Sequence, residues 1–283
     1  MDAKQTGRFK KDYMQNSENI KFKKKYGQNF ISDSNLLSAI SRDAGVFNND
    51  IVIEIGPGAG GLTRELLKSA KKVVAYEIDK TLEPTLRENL KEFSNLELIF
   101  ADILKIDIKE IDKKYNAYKV VANIPYYITT PIIMKFIEEA QNVKSLTLMV
   151  QEEVAERLNA KHNTSEYGRI TVQVQAQADI TVTRKVSRKM FYPVPNVDSA
   201  VIRIDINKNK YSIKNKAVFD RVLNASFLNR RKKFSSNLAG AFSIPKEDIC
   251  KLLEKQNIDI LARGETLSPL DFVNLANILY EYV

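Results

Sequence analysis

The stretch I-V-I-E-I-G-P-G-A-G-G, residues 51–61, decides the fold class. Its first half, Ile51–Ile55, is an apolar run of strand length, and glycines follow it directly. The next residues, Leu62–Ser69, have the spacing of an amphipathic helix. A buried strand that runs through a glycine-rich turn into a helix is typical of an α/β protein with a parallel sheet.

The same alternation continues to residue 150. Apolar runs of strand length alternate with amphipathic stretches, which predicts right-handed crossovers and a mostly parallel sheet covered on both faces. The further predicted strands and helices are Lys72–Glu77, Leu82–Lys91, Leu96–Phe100, Lys119–Ala122, Pro131–Ala140 and Ser145–Val150. Ligands of such sheets bind at the carboxyl ends of the strands.

The pattern changes after residue 150. Ile180–Val186 and Ala200–Ile206 alternate like strands, and we predict that they close one side of the sheet as an antiparallel pair. Gly168–Ala178 is ambiguous, because its V-Q-V-Q alternation favours a strand while a helix stays open. The last 70 or so residues carry helical spacings. We therefore predict three parts: a flexible tail at 1–20, a sheet domain at 21–207 and a small helical domain at 208–283.

Composition restricts the class of protein. The chain has 283 residues, 44 Lys and Arg against 35 Asp and Glu, and a single cysteine, Cys250. One cysteine excludes an internal disulfide framework, and the sequence has neither a signal segment nor an 18-residue apolar run, so a cytoplasmic protein is expected. The net charge of +9 indicates a polyanionic partner. Three basic clusters have spacings that suit a phosphate backbone: 8–11, 21–25 and 230–233.

The glycine turn is the first candidate site. Gly56, Gly58 and Gly61 satisfy G-x-G-x-x-G, and Glu77 follows at the end of the second strand. A carboxylate there can accept hydrogen bonds from both hydroxyls of a ribose, so any adenosine-bearing cofactor fits. A dinucleotide enzyme and a purely structural turn are alternatives. Pro57 removes one backbone N–H donor that a pyrophosphate site would use.

Two further segments extend this predicted pocket. Asp102 follows the third strand, where its carboxylate can accept a hydrogen bond from the amino group of an adenine. Gln28 and Asn29 precede the first strand and can cover a bound cofactor. Each segment alone is more typical of turn and capping chemistry than of ligand binding, but together they describe a pocket.

The segment N-I-P-Y, residues 123–126, ends the fourth strand. In a sheet of this order it would face the reactive end of the cofactor. If the Asn123 side-chain oxygen and the Ile124 carbonyl accept N–H bonds from an adenine N6 amine, they point the nitrogen lone pair at an electrophile. Pro125 stiffens this geometry, and Tyr126 can lie on the face of the base. Such a site works by orientation and charge placement and needs no strong general base.

These motifs together closely resemble the small-subunit ribosomal RNA adenine dimethyltransferases of the KsgA (RsmA) type. The similarity runs from about Lys25 to the C-terminus. The motifs that carry it are G-Q-N-F, E-I-G-P-G-x-G, Y-E-I-D, N-I-P-Y, V-Q-E-E-V-A-E-R-L, F-Y-P-V-P-N-V-D-S-A-V, N-R-R-K-K and R-G-E-T-L-S-P.

The resemblance implies a Rossmann-like class I methyltransferase sheet that binds S-adenosyl-L-methionine, followed by a helical RNA-binding domain. It also implies a helix at Tyr167–Gln177. The implied reaction places two methyl groups on each of two adjacent adenosines in a hairpin near the 3′ end of 16S rRNA, within the immature 30S subunit. The implied cofactor residues, with their neighbours, are Gln28, Asn29, Ile31, Gly56, Gly58, Glu77, Ile78, Asp102, Ile103 and Asn123.

The resemblance assigns the target base to the N-I-P-Y segment and to Phe191, whose ring would stack on the adenine opposite Tyr126. The basic clusters predict the RNA contacts, with a solvated tail or helix face as the alternative; the predicted contact residues are Lys23, Lys24, Lys25, Arg230, Arg231, Lys232 and Lys233. We expect a monomer.

Other chemistry is not expected. His162 is the single histidine and lacks ligand partners at metal-binding spacing, so we predict no metal. Three alternatives to the small-subunit enzyme stay open: the large-subunit rRNA dimethyltransferase of macrolide resistance, which shares N-I-P-Y, a non-catalytic RNA-binding assembly factor, and a dehydrogenase. The F-Y-P-V-P loop and the longer C-terminal part favour the small-subunit enzyme.

Overall fold

The computed structural model describes residues 30–31, 33–228 and 233–282. The chain divides into two compact units. The first holds the described residues up to Ala155 together with Thr181–Ile206, and the second holds Glu156–Ile180 together with the described residues from Asn207 onward.

The first unit is built on a seven-stranded sheet. Its strands, in chain order, are β2 (Ile51–Ile55), β3 (Lys72–Glu77), β4 (Leu96–Phe100), β5 (Tyr118–Asn123), β6 (Val143–Gln151), β7 (Ala178–Val186) and β9 (Ser199–Ile206). Their order across the sheet is β4-β3-β2-β5-β6-β9-β7. The first five are mutually parallel, and β9 pairs antiparallel with β6.

A second, two-stranded sheet joins β1 (Phe30–Ile31) to β8 (Phe191–Tyr192). The strands are antiparallel, and Ile31 lies opposite Phe191. This pairing ties the segment before the first helix to the loop that precedes β9.

Helices cover both faces of the large sheet. Strand β2 is therefore buried on both sides, and four of its five residues are apolar. They are α1 (Ser34–Asp43), α2 (Gly61–Leu67), α3 (Glu83–Asn89), α4 (Ile108–Lys114), α5 (Tyr126–Glu139) and α6 (Glu152–Leu158). The start of α1 is fixed by Asp33, whose side chain accepts hydrogen bonds from the N–H groups of Asn35 (2.8 Å) and Leu36 (3.1 Å). Short 3₁₀ turns occupy Lys80–Leu82, Ile103–Lys105 and Arg188–Met190.

The second unit is helical. Its helices are α7 (Arg169–Gln175), α8 (Lys216–Leu228), α9 (Phe234–Phe242), α10 (Lys246–Lys255) and α11 (Pro269–Tyr282), with a 3₁₀ turn at Gly264–Thr266. Aromatic rings pack together in this unit: the partly buried Phe227 lies 6.2 Å from Tyr167 and 5.7 Å from Phe272, measured between ring centroids. The buried Tyr167 hydroxyl donates to the Leu267 carbonyl at 2.9 Å.

The structure confirms the predicted fold class and resolves the ambiguous segment. Residues Arg169–Gln175 form a helix, as the family resemblance implied and against the strand propensity. The predicted domain boundary needs a correction, because Glu156–Ile180 belongs to the helical unit and not to the sheet domain. The physical reason is packing: Tyr167 and Val172 are fully buried in the same apolar cluster as Phe219 and Phe272.

Within the described part of the chain, helices long and apolar enough to cross a membrane are absent. The predicted tail and the basic cluster at 21–25 lie outside the described residues, as do Gln28, Asn29, Arg230, Arg231 and Lys232.

Candidate active site

A cavity of about 260 Å³ opens at the carboxyl ends of the parallel strands. It lies wholly in the first unit. Its walls come from the glycine turn, the ends of β3 and β5, and the segments that follow β4 and begin α5. The lining residues are Ile31, Leu37, Ile55, Gly56, Pro57, Gly58, Gly61, Leu62, Tyr76, Glu77, Ile78, Ala101, Asp102, Ile103, Leu104, Asn123, Ile124, Pro125, Tyr126, Tyr127 and Ile128.

The turn after β2 favours glycine at two positions, where the backbone is left-handed and a side chain lies close. Gly56 has φ +69°, in the left-handed region, and a Cβ there would lie 3.4 Å from Cγ2 of Ile124. Gly60 has φ +87°, and a Cβ there would meet Leu90 of the adjoining segment at 3.1 Å. The turn is closed by a hydrogen bond from the Gly60 N–H to the Pro57 carbonyl at 2.9 Å. The backbone at Gly56 therefore packs directly beneath the N-I-P-Y segment.

Glu77 is held at the end of β3 by backbone donors. Its carboxylate accepts from the N–H of Gly58 at 3.2 Å and from the N–H of Asp79 at 2.9 Å. The side chain is 3% exposed. Burial raises the pKa of the Glu77 carboxyl, and the two backbone N–H groups oppose that rise. A carboxylate oxygen accepts more than one hydrogen bond, so Glu77 can still receive hydroxyl donors from the cavity.

Asp102 both caps a short helical turn and lines the cavity. One carboxylate oxygen accepts from the N–H of Leu104 at 3.0 Å and so caps the 3₁₀ turn at Ile103–Lys105. The same residue lines the cavity. The capping role and the predicted ligand-binding role of Asp102 are therefore compatible, because the cap holds the carboxylate in place beside the cavity.

The N-I-P-Y segment forms the opposite wall. Asn123 ends β5 and lies opposite Met149 of β6, while Ile124 is buried at 4% exposure. Pro125 has φ −55° and ψ 137°, so the chain is extended immediately before α5 begins at Tyr126. The Tyr126 hydroxyl and the Ser199 hydroxyl lie 2.7 Å apart, within hydrogen-bond distance. Burial raises the pKa of the Tyr126 phenol, which keeps it neutral at physiological pH.

Glu54, the first residue of the glycine motif, lies behind the cavity. It is 1% exposed, and in the described part of the chain its Oε2 atom has no hydrogen-bond partner. Burial raises the pKa of the Glu54 carboxyl to about 8, and the negative charge of Glu77 adds to the rise. Glu54 is therefore largely protonated at neutral pH.

Residues 19–281 match the sequence profile of the family described as ribosomal RNA adenine dimethylase. The chain belongs to this family. It is 46% identical over 265 residues to the ribosomal RNA small subunit methyltransferase A of Clostridioides difficile, covering 92% of both chains. It is also 46% identical over 265 residues to the protein of the same name from Caldanaerobacter subterraneus, covering 92% of this chain and 98% of that one.

Two solved structures of rRNA or adenosine methyltransferases resemble the fold. A dimethyladenosine transferase from Plasmodium falciparum superposes with a TM-score of 0.78 at 27% identity, covering 88% of this chain and 96% of that one. The 23S rRNA methyltransferase ErmE superposes with a TM-score of 0.69 at 27% identity, covering 89% and 99%. The motif-based resemblance to adenine dimethyltransferases is thus confirmed.

The structure of this ribosomal RNA adenine dimethylase family member brings most of the predicted site residues together. The cavity is lined by every described residue of the predicted cofactor set and by all four residues of N-I-P-Y: Ile31, Gly56, Gly58, Glu77, Ile78, Asp102, Ile103, Asn123, Ile124, Pro125 and Tyr126.

Phe191 is placed differently. It is 3% exposed, lies opposite Ile31, and packs in the apolar cluster of the first unit. The residues that line the cavity do not include it. Its neighbour Tyr192 is 59% exposed. Stacking of Phe191 on a base therefore stays a prediction that requires the loop to open.

Several residues that line or adjoin the cavity were not predicted from the sequence, and Tyr127 and Ser199 are two of them. Tyr127 lines the cavity and is 66% exposed, but the N-I-P-Y motif includes only the first of the two tyrosines. Ser199 reaches Tyr126 from 73 positions away, and its place in the V-D-S-A motif was the only available signal. Among the residues described, groups of three or more His, Cys, Asp or Glu able to hold a metal ion are not found.

Proposed function

We propose that the protein transfers methyl groups from S-adenosyl-L-methionine to N6 of two adjacent adenosines in a hairpin near the 3′ end of small-subunit rRNA. One observation carries the proposal: in a member of the ribosomal RNA adenine dimethylase family, the glycine turn, Glu77, Asp102 and N-I-P-Y line one cavity. A cofactor bound over the turn would adjoin a base held at Asn123.

The residues present fit the cofactor. Gly56 lacks a Cβ and has φ +69°, so the backbone can approach a nucleoside closely. Glu77 supplies a carboxylate for the ribose hydroxyls, and Asp102 supplies one for the amino group of the adenine. Ile78 and Ile103 give the apolar contacts that an adenine ring needs on its faces. When bound, the cofactor supplies an electrophilic methyl group on a positively charged sulfur.

The target base is held by a second set of groups. The Asn123 side-chain oxygen and the Ile124 carbonyl accept N–H bonds from the N6 amine, which otherwise delocalises its lone pair into the ring. These two acceptors localise the lone pair and fix its direction. Pro125 limits the backbone freedom of the segment, and the Tyr126 ring stacks on the base. The methylated amine then gives up a proton to water, so no residue with the pKa of a strong base is required.

Small-subunit RNA is favoured over large-subunit RNA by the relatives. Those named ribosomal RNA small subunit methyltransferase A share 43–46% of their residues with this chain over nearly its full length. The likeness to the 23S rRNA methyltransferase ErmE rests on 27% identity. The presence of every described member of the predicted cofactor set among the cavity residues disfavours a non-catalytic assembly factor.

The basic clusters at 21–25 and 230–233 would bind RNA. Lys233 is exposed at the start of α9, and it continues the cluster at Arg230, Arg231 and Lys232. The cluster at Lys23, Lys24 and Lys25 would add a second phosphate contact region. The substrate particle is proposed to be the immature 30S subunit, with the protein acting as a monomer in the cytoplasm.

The direct test uses labelled cofactor. Purified protein is incubated with tritiated S-adenosyl-L-methionine and 30S subunits that lack the 3′-hairpin methylation, and the modified nucleotides are mapped by nuclease digestion and mass spectrometry. Two dimethylated adenosines in that hairpin are expected. Label in 23S rRNA would favour the large-subunit alternative. Absence of label, together with calorimetric binding of a nicotinamide dinucleotide and no binding of the methyl donor, would favour a dehydrogenase.

A further inference from the structure

The hydrogen bond between Tyr126 and Ser199 joins two motifs that are far apart in sequence. Tyr126 is the first residue of α5, directly after β5, and Ser199 is the first residue of β9. Strand β6 lies between β5 and β9 in the sheet. Along β6, Met149 is opposite Asn123 and Gln151 is opposite Ser199. Ser199 is therefore placed just beyond the level at which N-I-P-Y leaves the sheet.

Ser199 is a fixed point. It is fully buried. The preceding residue, Asp198, is tied on both sides: its carbonyl accepts from the N–H of Glu152 at 3.1 Å, and its carboxylate accepts from the N–H of Arg188 at 2.8 Å. The Arg188 guanidinium in turn donates to the Asn196 carbonyl at 3.0 Å. The Ser199 hydroxyl thus sits on backbone that the first residue of α6 and the preceding loop both hold.

Tyr126 has more freedom without this bond. Its side chain is only half-buried, and it begins a helix at the wall of the cavity. The Oη atom lies on the long axis of the ring, so a hydrogen bond to it fixes where that axis points and leaves rotation about the axis to packing. Without the hydrogen bond, the Tyr126 ring could rotate toward solvent, and it would then no longer stack on the base.

We propose that Ser199 is a positioning residue, which directs the Tyr126 ring onto the target adenine through the 2.7 Å hydroxyl–hydroxyl bond. This inference rests on the proposed function, because it takes the base beside N-I-P-Y as its object. It assigns a role to Ser199, the serine of the F-Y-P-V-P-N-V-D-S-A-V motif. This serine is not among the residues that line the cavity. Ser199 touches neither base nor cofactor in this arrangement, so it acts only through Tyr126.

The test is a double-mutant cycle of Ser199→Ala and Tyr126→Phe, read as the single-turnover rate of methyl transfer at saturating cofactor and 30S subunits. Each single variant is expected to lower that rate about tenfold, because a displaced ring misaligns the amine. The double variant is expected to lose no more than either single variant, since both remove the same bond. The dissociation constant of S-adenosyl-L-methionine should stay within about twofold of the wild-type value.

The matched control is Ser145→Ala. Ser145 is a buried serine of the neighbouring strand β6, and no hydrogen-bond partner of its hydroxyl is found in the described part of the chain. It should transfer methyl groups at the wild-type rate. Additive losses in the cycle, or a wild-type rate in Ser199→Ala, would overturn the positioning role. If Ser199→Ala melts below the assay temperature, Tyr126→Phe alone tests the bond, and a wild-type rate in that variant overturns the role equally.

A second readout does not depend on methyl transfer. Subunits carrying 2-aminopurine at one target adenosine report stacking through fluorescence quenching on addition of the protein. Wild-type protein should quench this signal, and Ser199→Ala should quench it less, to the same extent as Tyr126→Phe. Equal quenching by wild type and Ser199→Ala contradicts the inference. Absence of methyl transfer by the wild-type protein would instead contradict the proposed function.

Discussion

The carboxylate of Glu77 accepts a hydrogen bond from the backbone N–H of Gly58 at 3.2 Å. This bond links the end of β3 to the glycine turn that follows β2, so one side chain both shapes the turn and lines the cavity. The second carboxylate oxygen accepts from the Asp79 N–H at 2.9 Å. If Glu77 binds the cofactor as proposed, cofactor affinity and the shape of the turn are coupled through this side chain.

Glu77→Gln is expected to raise the dissociation constant of S-adenosyl-L-methionine about 10- to 100-fold. The amide has one acceptor oxygen, so it cannot receive both backbone donors and also the ribose hydroxyls, and the bonds it loses are charge-assisted. Isothermal titration calorimetry measures the affinity. Glu88→Gln is the control, because Glu88 is a highly exposed carboxylate in α3. Unchanged affinity in Glu77→Gln would remove Glu77 from the cofactor site.

Asn123→Ala is expected to abolish methyl transfer while the affinity for S-adenosyl-L-methionine stays within severalfold of the wild-type value. The side-chain oxygen is assigned to the target amine, so its removal affects the reaction more than binding of the cofactor. Single-turnover rates and calorimetry on the same preparation measure the two effects. Equal loss of rate and affinity would show that Asn123 has a structural role.

Gly56→Ala is expected to lower both stability and cofactor affinity. A residue with a Cβ at φ +69° is strained by about 1–2 kcal/mol, and the added methyl would press on Ile124 at 3.4 Å. Gly240→Ala is the control, since a Cβ at this position in α9 meets no atom within 4 Å. There the substitution should be neutral or slightly stabilising. Urea unfolding of both variants measures the difference, and equal effects at the two positions would refute the argument from backbone strain.

Glu54→Gln is expected to gain stability relative to the wild type as the pH rises from about 5 to about 8. Burial raises the pKa of Glu54 from 4.5 to about 8, so in this range the folded wild type holds a proton that the unfolded chain has lost. Wild-type stability therefore falls as the pH rises through this window, and glutamine removes that fall. The full difference is at most about 5 kcal/mol.

Urea unfolding at pH 5.5 and at pH 8.5 measures this effect. Glu88→Gln, at a highly exposed position, should follow the pH dependence of the wild type. If the stabilities of Glu54→Gln and wild type change in parallel between the two pH values, the carboxyl of Glu54 is not buried in its protonated form.

The sequence predicted the parts of the fold that depend on local pattern. Ile51–Ile55, Lys72–Glu77 and Leu96–Phe100 were located to the residue, because each is an apolar run bounded by glycine or polar residues. Residues Arg169–Gln175 form a helix, although their V-Q-V-Q alternation favours a strand. There, Gln173 donates to Asp220 at 3.3 Å, and Gln175 donates to the carbonyls of Leu158 and Ala160 at 2.9 and 3.0 Å. Such tertiary contacts override strand propensity and leave no trace in a short window of sequence.

The candidate site was predictable to a similar degree. Motifs at strand ends located Gly56, Glu77 and Asn123, because the topology of a parallel sheet brings those ends together. The bond from Tyr126 to Ser199 was not predictable, since it depends on how a helix start and a strand that are distant in sequence come together.

The three crossings of the chain between its units, near residues 155, 180 and 206, bear on how the protein can be dissected. A C-terminal fragment that began after residue 207 would lack Tyr167. The hydroxyl of Tyr167 donates to the Leu267 carbonyl, and its ring makes an edge contact with Phe227. The helices of this fragment would then present a bare aromatic surface to water. A graft of the C-terminal half onto another enzyme would therefore have to carry residues 156–180 along with it.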